Sequence, residues 1–545
     1  MVDFKSRKTV LIGAICLVVV VLAGGGAYLL LRTKGSPQQA AKDFLAAWQK
    51  GDTAAMKTHV DRAPSGFDAA YAQLRTGLGV KAVKTELGRV TESGESPQAA
   101  FKVTLTLNAI GDWTYSGRLD LTEADREWKV KWSPSAIYPG MTTGQRLAVS
   151  TTWPRRGAII AADGSRMDRA GASGSVQQLT GYVGAATRKD VKRLGAPYKV
   201  GDPVGVGGIQ QNREARLAGR PTATISIAGA SGKAVKAVGH IAGKSGAGVR
   251  TSLSPKVQKA AADALGGQTK PTAIVAIRPS TGQVLAVANI PGGFNRALDG
   301  QYPPGSTFKI VTAAALGKAG VMPGTTVQCP KTINIGGMTV HNAEGEKFGA
   351  IPFHTAFAKS CNTAFAGIAK AKLDAAELRS AAQLFGFNAD TNIGLSASGG
   401  KFPAVKDDAE LAAASFGQGK VTASPLQMAS VAATAANGTF RPPHLVTTPK
   451  VPQKASAHKL PSRMGKQLRS MMREVVTSGT AAEAGLPSGT IGKTGTAEYG
   501  SGPKPPTHAW FAAARGDVAM SVVVEGGGFG GAKAAPIAAK FFKAL

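Results

Sequence analysis

The sequence predicts a multi-domain α/β chain: an N-terminal transmembrane helix, an α+β domain, a glycine-rich segment of weak pattern, and an α/β domain rich in helices. Three observations carry this. At 545 residues the chain exceeds one ordinary core, and about three or four domains are expected. Residues 9–31 form a run of 23 residues without a charge. Period-two alternation between residues 101 and 132 gives way, after about residue 251, to strands separated by long Ala-rich stretches of helical character.

As a helix, residues 9–31 span roughly 35 Å against a hydrocarbon core of about 30 Å. Lys5, Arg7 and Lys8 precede the run and orient residues 1–8 toward the cytoplasm, with the remainder outside, although Arg32 and Lys34 weaken the bias. Small residues at 23–27 would suit a signal-peptide cleavage site, but signal h-regions are shorter, about 7–15 residues. A retained anchor is therefore expected. Cys16 is no lipidation site, because Ile15 stands where a small residue is wanted.

Gly35-Ser36-Pro37 then breaks the chain, and Phe44, Leu45 and Trp48 follow at helical spacing. Apolar and polar residues alternate from Phe101 to Asn108. Trp128, Val130 and Trp132 alternate with Lys129 and Lys131. That period means a sheet with one buried face, so residues 37–145 read as helices followed by a curved antiparallel sheet. Residues 146–250 are glycine-rich without a clear period, and none of their glycine clusters has the lysine of a phosphate loop. Residues 251–545 open on Ser254 as N-cap and Pro255 at the first helical position. Residues 273–277 and 284–288 flank Pro279-Ser280-Thr281-Gly282 as a β-hairpin, residues 520–525 read as the last strand, and a closing helix is expected from about Pro536.

The formal charge of +32 calls for anionic surroundings, such as lipid head groups or wall polymers. Nucleic acid is excluded: the basic residues are scattered, and the densest cluster, residues 188–193, belongs to no nucleic-acid motif. Cys16, Cys329 and Cys361 imply no disulfide framework, and they and the seven dispersed histidines offer no metal spacing. Neither metal nor cofactor is expected.

The chemistry lies in three short motifs of the last domain. Ser306-Thr307-Phe308-Lys309 follows Tyr302-Pro303-Pro304-Gly305. Ser360-Cys361-Asn362 comes 54 residues later (360 − 306), and Lys493-Thr494-Gly495-Thr496 another 133 on (493 − 360). The Pro-Pro-Gly run starts a helix at Ser306, whose hydroxyl then sits where free N–H groups favour negative charge. Lys309 shares that helical face and can reach the hydroxyl. Burial, and a like charge on Lys493, would lower its pKa far enough to make it a base. Ser360 and Asn362 can offer a hydroxyl and an amide from one turn. Lys493 and Thr494 suit a terminal carboxylate, and Gly495 leaves room for a peptide alongside. A lone S-x-x-K means little: Ser456-Ala457-His458-Lys459 also fits, but it sits between Pro452 and Pro461 without partner motifs and reads as a loop.

The ordered triple is the signature of serine β-lactamases and penicillin-binding proteins, and the chain resembles the class B penicillin-binding proteins along nearly its whole length after the anchor. Asp43-Phe44-Leu45-Ala46-Ala47-Trp48-Gln49-Lys50-Gly51-Asp52 and Trp128-Lys129-Val130-Lys131-Trp132-Ser133-Pro134 resemble the NTF2-like N-terminal domain of methicillin-resistance-type members. Arg156-Gly157-Ala158-Ile159-Ile160 and the glycines around Gly205 resemble the pedestal, or dimerisation, region. Ser415-Phe416-Gly417-Gln418-Gly419, Ser424-Pro425-Leu426-Gln427 and His508-Ala509-Trp510-Phe511 resemble supporting stretches of the transpeptidase domain, while Cys361 stands where serine or aspartate is commoner.

The resemblance implies a peptidoglycan DD-transpeptidase with Ser306, Lys309 and Ser360 catalytic, and Asn362, Lys493, Thr494, Gly495 and Thr496 binding substrate. The backbone N–H groups of Ser306 and Thr496 would form the oxyanion hole. It implies stem peptides and β-lactams as ligands, and division or elongation proteins as partners. A hydrolytic carboxypeptidase or β-lactamase, and a non-catalytic β-lactam sensor or scaffold, are the alternatives.

Overall fold

The computed structural model describes residues 33–545 except 92–95, 170, 173, 291 and 503. The expected anchor at 9–31 lies outside the described residues, and among these no helix is long and apolar enough to cross a membrane. The chain divides into two compact units. One gathers the described part of Met1–Arg155 with Ala186–Asp202 and Gly219–Ser245. The other gathers Arg156–Ala185, Pro203–Ala218 and Gly246–Leu545.

In the first unit, helix α1 (Pro37–Lys50) starts at the expected breaker: the Ser36 side chain accepts from Gln39 N–H, and Gly51 closes the helix at φ 70°. With α2 (Phe67–Leu78) it covers an antiparallel sheet in the order β1 (Val80–Thr91), β2 (Gln98–Leu107), β3 (Gly111–Ala124), β4 (Glu127–Val130). The alternation in β2 faces Ala99, Phe101, Val103, Leu105 and Leu107 inward. Gly117 opposes Phe101 in the register, where a Cβ would lie 2.3 Å from the ring. Phe44, Trp48 and Tyr71 fill the space between helices and sheet, and Trp132 Nε1 donates to the Tyr71 hydroxyl at 3.3 Å. A second sheet, in the order β7 (Ala234–Ile241), β6 (Thr222–Ala228), β5 (Arg146–Thr152), completes the unit.

The glycine-rich part of the second unit shows why its sequence carries no period. A Cβ on Gly157 would meet the Ala247 carbonyl at 2.2 Å, and one on Gly246 the Leu217 carbonyl at 1.8 Å. Backbone crosses backbone there, and only glycine permits such approaches. Arg156 binds both oxygens of the buried Glu214, at 2.9 and 2.7 Å, beneath those crossings.

The rest of this unit is built on a five-stranded antiparallel sheet. Helix α3 (Pro255–Ala264) has the expected Ser254 cap and precedes the hairpin of β8 (Thr272–Ile277) and β9 (Val284–Asn289). A turn of 3₁₀ helix (Gly305–Phe308) runs into α4 (Lys309–Lys318). A small hairpin, β10 (Thr332–Ile335) and β11 (Met338–His341), is followed by α5 (Phe353–Ala358), α6 (Asn362–Lys372), α7 (Asp408–Ser415), α8 (Pro425–Asn437) and α9 (Ser462–Thr477). Strands β12 (Ile491–Glu498), β13 (Thr507–Arg515) and β14 (Val518–Val524) close the sheet in the order β9-β8-β14-β13-β12, and α10 (Gly530–Lys543) ends the chain. Strand β8 is buried at every position, with α8 and α3 packed against it between its two neighbouring strands. Strand β12 lies at the sheet edge.

Helix α10 begins at Gly530, six residues before the expected Pro536, which lies inside it. The preference of proline for a first turn placed the start too late. The true start is fixed by packing, since a Cβ on Gly530 would lie 2.2 Å from the Gly495 carbonyl.

Candidate active site

The turn that carries Ser306 is assembled by two glycines. Pro303 and Pro304 keep the chain from forming a helix early, and Gly305 turns it at φ 53°. Gly305 N–H donates to the Gly417 carbonyl at 2.9 Å, and the Thr307 hydroxyl to the Pro304 carbonyl at 2.6 Å. Ser306 is thereby set at the start of the continuous 3₁₀–α4 helix, 8 % exposed. Lys309 is fully buried one turn on.

The second motif sits where α5 ends and α6 begins. Ser360 adopts φ 60°, a left-handed conformation that costs a non-glycine residue about 1–3 kcal/mol. Its N–H donates to the Phe357 carbonyl at 3.1 Å and that of Cys361 to Ala356 at 2.9 Å, ending α5. Cys361 caps α6, its sulfur accepting from Ala364 N–H, and is joined to Cys329 by a disulfide. The sequence reading, which found no disulfide framework, is corrected here: the cysteines lie 32 residues apart, and only the fold brings them together.

The three motifs converge. Lys309 Nζ donates to the Ser360 carbonyl at 2.7 Å and to Asn362 Oδ1 at 2.6 Å, with the Ser360 hydroxyl 3.4 Å away. The Ser306 hydroxyl donates to the same Asn362 Oδ1 at 3.4 Å. Lys493 Nζ, from β12, donates to the Ser360 hydroxyl at 2.8 Å. The sequence placed Lys309 within reach of Ser306, but its hydrogen bonds go to Ser360 and Asn362, and the Asn362 amide links it to Ser306. Thr494 pairs its hydroxyl with that of Thr480 at 2.5 Å, and Thr496 Oγ1 accepts from Gly530 N–H at 3.3 Å. Gly495, expected to leave room for a peptide, makes room for the turn that carries Ser306: a Cβ there would meet the Pro304 carbonyl and Thr307 Cγ2 at 3.0 Å.

Both lysines are walled off from water by aromatic rings. Lys309 Nζ lies 5.2 Å from the Phe365 ring centre and Lys493 Nζ 5.7 Å from that of Phe357. Burial, and after it the charge of Lys493, holds Lys309 well below the usual lysine range, and burial lowers Lys493 to about 7. A lysine that gives up its proton this readily can take one from a serine hydroxyl.

Ser306, Asn362 and Thr496 line an open cleft of about 530 Å³, together with Pro303, His341, Phe416, Glu498 and Tyr499 among others. The sequence reading missed Gly417, Thr480, Gly530 and the disulfide. Gly417 lay within a quoted stretch, but nothing local to it signals contact with Gly305.

Three parts of the chain match known domains. Residues 272–543 match the penicillin binding protein transpeptidase domain, 36–145 the NTF2-like N-terminal transpeptidase domain, and 153–251 the penicillin-binding protein dimerisation domain. The peptidoglycan D,D-transpeptidase PbpA of Mycolicibacterium smegmatis is 35 % identical over 351 residues, covering 54 % of this chain and 71 % of that protein. Pseudomonas aeruginosa PBP2, solved in complex with WCK 5153, superposes with a TM-score of 0.59 at 26 % identity over 72 % of this chain and 96 % of that one. Penicillin-binding protein A of M. tuberculosis, solved as a ceftriaxone acyl-enzyme, gives 0.55 at 25 % identity over 72 % of this chain and 98 % of the other. With side chains of all three motifs joined by hydrogen bonds and three successive domain matches at 36–145, 153–251 and 272–543, the chain belongs to the class B penicillin-binding proteins, with an NTF2-like N-terminal domain ahead of the dimerisation and transpeptidase domains.

Proposed function

We propose that the protein is a serine D,D-transpeptidase that cross-links peptidoglycan stem peptides, and that β-lactams acylate the same serine. The observation that carries this is the shared atom: Ser306 Oγ and Lys309 Nζ both donate to Asn362 Oδ1, at 3.4 and 2.6 Å. It joins a hydroxyl at a helix start to an amine whose proton affinity burial lowers.

In the forward step neutral Lys309 takes the Ser306 proton, and Oγ bonds to the carbonyl carbon of the penultimate D-Ala. The N–H groups of Ser306 and Thr496 receive the developing oxyanion. The proton then passes from Lys309, with Ser360 between the two lysines, to the departing D-Ala nitrogen as the C–N bond breaks. Charged Lys493, with Thr494, holds the terminal carboxylate of the donor. An acceptor amine next attacks the ester carbonyl carbon, forming a new C–N bond as the bond to Ser306 Oγ breaks, and the proton the amine loses passes to Oγ. No ATP is consumed, which suits the outer face of the membrane. Residues 9–31 are proposed as the anchor and 1–8 as its cytoplasmic tail. Residues 37–145 serve as spacer, 146–250 as pedestal and 251–545 as the enzyme, with division or elongation proteins as partners.

Mass spectrometry of products formed by the full chain from lipid-linked glycan strands tests the proposal. Cross-linked muropeptides lost in Ser306→Ala are expected. Trimmed stems without cross-links would make the protein a carboxypeptidase, and no product at all would make it a scaffold.

A further inference from the structure

Just ahead of the turn that carries Ser306 stands a cluster of polar side chains that the acyl-transfer steps leave unused. Glu525 follows directly on β14. Its Oε1 accepts from the Tyr302 hydroxyl and, at 3.0 Å, from Arg296 Nε. Arg296 Nη1 also donates to the Gly292 carbonyl at 2.8 Å. The cluster is shielded from water: the side chains of Arg296 and Glu525 are 13 % and 24 % exposed, and Tyr302 is 7 % exposed. Bonds to a carboxylate in such surroundings are of the strong, charge-assisted kind. Burial, and after it the bond to Glu525, raises the Tyr302 phenol above its usual range, which keeps it the donor.

Tyr302 immediately precedes Pro303-Pro304-Gly305 and Ser306. Its backbone is held without the hydroxyl. Tyr302 N–H donates to the Ala423 carbonyl at 3.1 Å, Ala423 N–H returns the bond at 2.8 Å, and Trp510 Nε1 donates to the Pro303 carbonyl at 3.1 Å. What Glu525 adds is the direction of the Tyr302 ring. That ring fills a close-fitting seat, since a Cβ on Gly300 would lie 2.3 Å from it. It meets Trp510 and His508 edge-on, with ring centres 6.0 and 5.1 Å away. His508 in turn stacks on Tyr499 at 4.0 Å, and its Nδ1 accepts from Gly526 N–H at 3.3 Å. Tyr499 lines the cleft with Ser306. The neighbours Glu525 and Gly526 therefore hold two rings, one at the entrance to the Ser306 turn and one packed against a residue of the cleft wall.

We infer that Glu525 is a positioning residue for acyl transfer: acting through the Tyr302 hydroxyl, it fixes the chain segment that brings Ser306 to the cleft. It takes no part in the bond changes. A shift near 1 Å at the reacting atom costs about 10² in rate, so a ring anchored just before the Ser306 turn acts on the rate rather than on affinity. The inference rests on the transpeptidase reading of the site.

Stopped-flow acylation of the full chain by penicillin separates the affinity of the first complex from the rate of bond formation. Tyr302→Phe removes the hydroxyl alone. It should slow bond formation about tenfold, the size of a hydrogen bond to a charged group, and leave the affinity of the first complex unchanged. Glu525→Gln keeps an acceptor and should restore most of the rate that Glu525→Leu loses. Because the two residues act through one bond, Tyr302→Phe combined with Glu525→Leu should be no slower than Glu525→Leu. Ser521→Ala supplies the structural comparison: it deletes a buried bond from β14 to the Pro425 carbonyl and should lower the denaturant midpoint at an unchanged rate. A Tyr302→Phe variant that acylates at the wild-type rate overturns the inference. So do losses that add in the double variant, or a Ser521→Ala variant as slow as Tyr302→Phe. Wild type that penicillin does not acylate would instead sink the transpeptidase reading.

Discussion

Lys493 Nζ lies 2.8 Å from the Ser360 hydroxyl, which also stands 3.4 Å from Lys309 Nζ, so a single serine separates two buried lysines. Burial opposes charge on both, and Lys493 adds to the effect at Lys309. The proposed mechanism divides their tasks, with Lys309 neutral as base and Lys493 charged as carboxylate anchor.

The pH dependence of acylation follows from that division. Lys309 works as a base only above its own pKa, which lies well below 10.5, so the rate rises with pH on the acid side. Lys493 holds a carboxylate only while protonated, so the rate falls as pH passes about 7. Both limbs belong to the coupled pair. A bell-shaped profile of acylation efficiency is expected for a β-lactam acid, and its methyl ester should lack the falling limb. The same falling limb for acid and ester would remove Lys493 from carboxylate binding.

The nucleophile can be checked against the second S-x-x-K. Ser456 is exposed in a loop, and its Lys459 belongs to a two-residue strand. Fluorescent penicillin should label the peptide carrying Ser306 alone. Ser306→Ala should abolish labelling and Ser456→Ala should leave it intact. Lys309→Ala should slow acylation by about 10²–10⁴. Labelling that persists in Ser306→Ala would displace Ser306 from its role.

The side chains of the candidate site were legible because each motif is short and its chemistry is local: a helix start, a turn, a strand. Period-two alternation revealed β2 for the same reason, since Phe101, Val103 and Leu105 all face one core. What stayed hidden depends on pairs distant in sequence. Cys329 meets Cys361, Gly305 meets Gly417, and Gly530 meets Gly495, and no spacing rule joins such positions. The early start of α10 was missed because a local proline preference was outweighed by packing at Gly530.

The disulfide holds the middle residue of the second motif. Cys361 stands between Ser360 and Asn362 and caps α6, and both sulfurs are buried. Closing a loop of 32 residues restricts the unfolded chain by roughly 3–4 kcal/mol. Cys329→Ser combined with Cys361→Ser should lower the denaturant midpoint and slow penicillin acylation. Reductant should do the same to wild type only near that midpoint, where the sulfurs become accessible. A midpoint unmoved by reductant would mean that the bond contributes nothing to stability.

Gly417 packs against the turn that carries Ser306, the proposed nucleophile. Its φ is 73°, and a Cβ there would lie 2.2 Å from the Gly305 carbonyl and 2.7 Å from Phe308 Cβ. Alanine at 417 must therefore push the turn that carries Ser306. Gly419, at φ 68°, supplies the comparison: a Cβ there meets nothing nearer than Ala413 Cβ, at 3.3 Å. Each Gly→Ala change carries a left-handed backbone cost of about 1–2 kcal/mol, so both variants should lose some stability. Only Gly417→Ala should also displace Ser306, and a shift near 1 Å costs about 10² in rate. Stopped-flow acylation with penicillin should show a loss of that order for Gly417→Ala and a much smaller one for Gly419→Ala. Equal losses in the two would reduce the role of Gly417 to backbone conformation alone.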